Sequence, residues 1–258
     1  MFPSDAKTNN QKKPTNLRFV HILIDYDNLE LQQVNEIQSV IDQIVFLLYK
    51  NGLVQKEIET EFHVRLYGGW DELNNVNNQA INQASKLATE LSAFLYGAYP
   101  LKNTKPKNRI NVELSHSLVA KPEKMFPFTF RQRRTLSRIR ICKPEDDCCA
   151  DSKVHMDFLR KLRKSHSCPF CNTESSRIVW MSEQKLVDTL LSMDLSYYAT
   201  YDPLSLLVVV SDDDDFIPAI FQQCYLNHQI IHIQKTPGIC YNAYFQLVTS
   251  EYYKVLYL

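Results

Sequence analysis

Leu206-Leu207-Val208-Val209-Val210-Ser211-Asp212-Asp213-Asp214-Asp215-Phe216-Ile217-Pro218 joins an unbroken apolar run to four adjacent carboxylates. An apolar run without alternation suits a strand covered on both faces, as in a parallel sheet flanked by helices. The residues that follow such a strand stand at its carboxyl end, where open α/β sheets bind their ligands. Neighbouring carboxylates repel one another unless they are solvated or hold a cation. A solvated acidic turn usually carries Gly or Pro and fades into polar sequence. This one is clamped between the strand and Phe216-Ile217-Pro218-Ala219-Ile220.

Outward from this stretch the same rhythm recurs. Phe19 to Ile24 is a second buried-strand pattern and ends in Asp25-Tyr26-Asp27-Asn28. Val40, Ile41, Ile44, Val45, Leu47 and Leu48 predict a helix that stops near Asn51-Gly52. Strands are predicted at Phe62 to Tyr67, closed by Gly68-Gly69, and at Ile110 to Leu114, with Leu87, Leu91 and Leu95 repeating in a polar region between them. Later come a helix from Glu183 to Ala199, the opening strand, a helix from Phe216 to Leu226, a strand from Gln229 to Gln234 and a closing helix from about Tyr241. Strands alternating with helices predict a three-layer, Rossmann-like α/β domain with a mainly parallel sheet, over 17–114 and 177–258. Met1 to Asn16 reads as a polar, disordered tail, and 115–176 as a basic, cysteine-containing insert.

A third acidic segment is the helix that carries Asp188 and Asp194. Asp188 shares a stripe with Leu191 and Leu195, and Asp194 borders the apolar side, so each needs a partner, a metal or a place at the stripe's edge. The Asp25 segment alone would also serve as a helix cap or an Asx turn. Taken together, the three segments predict carboxylates converging on one crevice. Oxygen-only clusters suit Mg2+ or Mn2+, ions that activate water and stabilise a phosphoryl transition state.

The ordered set resembles the NYN family of PIN-like nucleases. Asp25-Tyr26-Asp27-Asn28 matches the family's D-x-x-N, Lys185-Leu186-Val187-Asp188 its K-x-V-D, and Ser211 to Pro218 its S-x-D-x-D-F-x-P. Arg65 to Trp70 fits its second strand. The resemblance spans roughly Phe19 to Gln234 without the insert. It implies a PIN-like fold and metal-dependent cleavage of RNA. It further implies that Asp25, Asp188, Asp213 and Asp215 are catalytic metal ligands, supported by Asn28, Ser211 and Asp194. Asp212 departs from the family, which often has Gly there, and adds charge at the expense of backbone freedom.

Lys and Arg together number 29, as do Asp and Glu, so net charge points to no polyanionic partner. From Lys121 to Lys164, however, 13 basic residues face 6 acidic ones, a local surplus suited to nucleic acid or to a solvated surface. Arg131, Arg133, Arg134 and Arg138 stand there among aromatics and are candidate phosphate contacts, although alternating Arg and Ile would equally make an edge strand. Cys168-Pro169-Phe170-Cys171 with Cys142, Cys148 and Cys149 offers ligands for a structural Zn2+, with unmetallated cysteines as the alternative. Cys224 and Cys240 read as core residues. No signal-peptide pattern and no apolar run of membrane-spanning length is present, so a cytoplasmic protein without a membrane partner is expected. The functional expectation is an endoribonuclease, with a non-cutting module that binds nucleic acid or protein as the alternative. A protein partner or homo-oligomer fits either. Five glycines and no Gly-rich phosphate loop argue against a nucleotide-triphosphate hydrolase.

Overall fold

The computed structural model describes residues 17–29, 34–55, 58–72, 75–76, 81–82, 85, 108–126, 129–133, 152–168, 172–174, 181–235 and 251–258. Strand β1 (Leu17–Asp25) lies at the centre of a six-stranded sheet. Strand β2 (Glu59–Tyr67) flanks it on one side, while β8 (Leu206–Val210) flanks it on the other. Beyond β2 comes β5 (Asn108–Leu114), and beyond β8 come β9 (Ile230–Gln234) and β10 (Tyr253–Tyr257). Every pairing in this sheet is parallel. The chain builds outward from β1 to β5, then returns to lay β8, β9 and β10 on the other side. That reversal puts a topological switch point between β1 and β8, with a crevice at their carboxyl ends.

Strand periodicity decides what faces that crevice. Val20, Ile22 and Ile24 of β1, with Leu206, Val208 and Val210 of β8, pack with helix α1 (Val34–Lys50) through Ile37, Ile41, Ile44 and Leu48. Leu23, Leu207 and Val209 pack on the opposite face with Leu190, Leu191, Leu195, Phe216, Ile220 and Cys224. These belong to α3 (Val187–Tyr201), α4 (Ile217–Tyr225) and the short turn before α4. The two central strands are therefore largely apolar because both of their faces are covered, with His21 the polar residue within the Phe19 to Ile24 run. Counting on by twos, Asp25 and Ser211 fall on the α3/α4 face.

A two-stranded ribbon stands apart from the main sheet. In it β6 (Phe130–Arg133) pairs antiparallel with β7 (Met181–Gln184), Arg131 opposite Glu183. The helix expected from Glu183 thus begins four residues later, at Val187. A ladder partner distant in sequence captures Glu183 and Gln184, and Leu186, at φ 67°, breaks the backbone between strand and helix. The closing helix expected from Tyr241 falls largely outside the described residues, and the chain's end is instead β10, which satisfies the free edge of β9. Asp71–Glu72 and Asn75–Val76 form a small antiparallel pair, β3 and β4. Helix α2 (Ser152–Ser165) carries Phe158 and Leu162 against Cys168. Among the described residues no helix is long and apolar enough to cross a membrane. The tail 1–16 and the leucines at 87, 91 and 95 lie outside the described residues.

Candidate functional site

Asp25 ends β1 with its carboxylate buried at 1% exposure. A 3-10 turn, Asp27–Leu29, follows at once and bends Asn28 back over it. The Asn28 amide donates to Asp25 Oδ2 and, at 3.3 Å, to Asp213 Oδ2. From the neighbouring strand, Ser211 Oγ donates to the same Asp25 oxygen at 2.7 Å and accepts from the Asp213 amide at 2.9 Å. Asp213 in turn caps the turn Asp214–Phe216 by accepting from the Asp215 amide at 3.0 Å. Asn28 and Ser211 thus tie the ends of β1 and β8 across the switch point. Asp212, the departure from the family pattern, accepts from the Lys235 amide at 2.6 Å and fastens the end of β9.

Asp188 reaches the same place from the other wall. It lies in the first turn of α3 and is exposed, on the outer side of a turn whose Val187 and Leu190 are buried. Its carboxyl is raised from the ordinary value by partial burial and by the charges of Asp213 and Asp215. Asp25 is pushed up to about 6, first by burial and further by the charges of Asp188 and Asp27, against the Ser211 and Asn28 hydrogen bonds. The four carboxylates therefore feel one another. Arg65 and Arg160 make the Lys/Arg ion pairs among the described residues, and neither touches these acids. An oxygen-only set with uncompensated charge suits a hard divalent cation. Among the described residues, however, no three His, Cys, Asp or Glu side chains are gathered closely enough to hold an ion. The acids are linked pairwise, Asp25 to Asp213 through Asn28 and Asp188 to the others by charge, without closing into a ligand shell.

Asp194 does different work. Buried on the inner side of α3, it accepts from Tyr67 OH at 2.8 Å and the Val119 amide at 2.9 Å, with Arg65 Nε 3.6 Å away. Burial raises its carboxyl despite Arg65. These contacts lock α3 to β2 and to the chain after β5, and none reaches the other acids. Gly69 at the end of β2 donates to Asp27 at 2.8 Å, so the second strand also braces the turn under Asn28. Gly68 is required there, since a Cβ would stand 2.6 Å from the Trp70 ring.

Behind the site stands a residue that the sequence reading passed over. His232 of β9 is fully buried, its Nε2 2.9 Å from the Ser211 carbonyl and its Nδ1 2.8 Å from Tyr253 OH. A carbonyl only accepts, so Nε2 carries the proton and Nδ1 accepts from the phenol. Burial lowers the imidazole's pKa and favours this neutral form. The available signal was a lone polar residue in Ile230-Ile231-His232-Ile233, which a buried strand tolerates only with partners. Tyr253→Phe leaves Nδ1 buried without a donor and is expected to cost about 1–3 kcal/mol. Urea unfolding at pH 7.5 checks this, and an unchanged midpoint contradicts the bond.

The ribbon brings part of the basic insert to this end of the sheet. The Thr129 carbonyl accepts from the Lys185 amide at 2.9 Å, and its hydroxyl accepts from the Asp71 amide at 2.9 Å. Phe130 lies within 3.1 Å of where a Gly69 Cβ would stand. Arg131 and Arg133 fall within β6, whereas Arg134 and Arg138 lie outside the described residues. Among the zinc candidates, Cys168 is described. It is buried, and its turn is fastened by bonds from its amide to Thr173 and from the Asn172 amide to its carbonyl. Cys142, Cys148, Cys149 and Cys171 lie outside the described residues, as does Cys240. Cys224 is a core thiol, its pKa pushed up to about 12 by burial.

Comparison with family models, with curated proteins and with solved structures finds no match to this chain.

Proposed function

We propose that this protein is a divalent-metal-dependent endoribonuclease of PIN-like type. The observation that carries the reading is that Asp25, Asp188, Asp213 and Asp215 interact near the sheet's switch point with no ion pair to Lys or Arg among the described residues. Metal-free carboxylates spread by repulsion, and a dication reverses that force. Mg2+ or Mn2+ held by these four would supply water activation and stabilisation of the phosphoryl transition state. Asn28 and Ser211 hold the Asp25 carboxylate in one rotamer, and Asp213 is fixed by its own cap. Burial at Asp25 keeps its proton affinity high, so the carboxylate seeks a cation more strongly than an exposed one. Arg131 and Arg133, on the ribbon tethered beside Gly69, offset the repulsion that these acids exert on RNA. The preference for RNA over DNA rests on the motif resemblance.

The test is cleavage of labelled single-stranded RNA, structured RNA and DNA with Mg2+, with Mn2+ and with chelator. RNA cut internally, in metal only, is the expected result. Binding of RNA without cleavage in either metal would instead establish the non-cutting module, a reading favoured by the open arrangement of the acids.

A further inference from the structure

We propose that the groove between α3 and α4 seats one nucleobase of the substrate strand, next to the phosphate at the acids; this rests on the nuclease reading above. The two helices lie side by side on one face of the sheet. Between them runs an open groove of about 280 Å3 whose wall includes Asp188 and Asp215. It is therefore continuous with the acidic crevice. Its volume falls just under the roughly 300–1,000 Å3 of sites for drug-sized molecules, which suits a single heterocycle.

The lining decides the class of ligand. Thr189, Ser192, Met193 and Ser196 form an i, i+3, i+4, i+7 stripe on α3, and Gln222 faces them from α4. A stripe at that spacing is ordinarily apolar and seals one helix against the next. Here three of its four members carry hydroxyls, Met193 being the apolar one, and the seam stays open. Ser196 is already committed, donating to the Ser192 carbonyl and accepting from Gln223. The side chains of Thr189, Ser192 and Gln222 make no hydrogen bond to the described residues and are available to a ligand. Met193 is 53% exposed and offers a polarisable thioether to a flat ring.

Among the described residues no Lys or Arg lines the groove, whereas the carboxylates of Asp188 and Asp215 do. A phosphate is thus excluded from it and stays outside, at the metal. The uncharged donors and acceptors inside match the edge of a base, the usual way of reading single-stranded RNA. A site built of such bonds also discriminates, since an analogue lacking the groups leaves partners unpaired.

Binding of the four nucleoside 5′-monophosphates and of ribose 5-phosphate to the full chain in Mn2+ tests this by calorimetry. At least one mononucleotide should bind about tenfold more tightly than ribose 5-phosphate. The double variant S192A/Q222A, altered on the helix surface, should lose most of that preference while holding ribose 5-phosphate as before. Equal binding of all five, or a preference that survives the double variant, overturns the base site and leaves the nuclease reading standing. If Mn2+ promotes binding of none of them, both readings fall.

Discussion

Asp25→Asn is expected to make the metal-free protein more stable, by about 1–3 kcal/mol at pH 7.5, while removing metal-dependent cleavage. Asp25 is nearly inaccessible and its carboxyl titrates at about 6 in the fold, against 3.8 for the unconstrained group. Between those values the folded chain binds the proton that the unfolded chain has released. Stability from this group is therefore complete below 3.8 and is lost as pH rises through about 6. The Asn oxygen still accepts from Ser211 and Asn28, so the charge goes and the hydrogen bonds stay. Denaturant unfolding of both proteins in chelator should show a gap at pH 7.5 that closes by pH 4. Comparing the two proteins cancels His21 and His232, which burial holds neutral and whose protonation below pH 6.5 acts in the opposite direction. A variant less stable than wild type at pH 7.5 would show that the carboxylate is not held under strain. Asp213→Asn, which can still cap its turn, should lose cleavage as well while keeping the fold.

Asp194→Ala should be the most damaging single change to stability, costing about 3–5 kcal/mol. It leaves the Arg65 guanidinium nearly buried with only the exposed Glu113 as a counter-charge, and strips Tyr67 OH and the Val119 amide of their acceptor. Breaking one side of a buried pair is costly even where the intact pair adds little. Asp194→Asn should cost far less, because the amide oxygen serves the Val119 amide and its NH2 donates to the Tyr67 oxygen. Thermal unfolding of both variants separates the readings. Similar losses for Ala and Asn would mean that the charge matters and the hydrogen bonds do not.

Much of this arrangement was legible because the central strands advertise themselves. Leu206 to Val210 is apolar without a break and Phe19 to Ile24 is interrupted by His21 alone, and the residues after each could stand only at the carboxyl edge. Alternation by twos then places Asp25 and Ser211 on one face. Asp188 was located less well. The stripe it shares with Leu191 and Leu195, both fully buried, leaves open a partner, a metal or a place at the stripe's edge, and its exposure puts it at the edge. The ribbon β6–β7 was missed for another reason: Glu183 reads as a helix former until a strand some fifty residues upstream pairs with it. His232 and Tyr253 meet across adjacent strands, a contact without local signature.

The placement of β1 at the centre of the sheet also governs when the site comes into being. Asp25 and Ser211, which share a hydrogen bond, are 186 positions apart, and β1 has no neighbour on its β8 side until that stretch has been made. At ribosomal speeds of roughly 5–20 residues per second, the interval is on the order of 10–40 s. During it the growing chain carries Asp25 and Asn28 but neither Ser211 nor Asp213, and the crevice has one wall. A contact of such separation also closes late in folding, because the loop entropy must be met before the pairing returns anything. A chain that cuts RNA would thus spare its own message until Asp213 has been made, through connectivity alone and without an inhibitor.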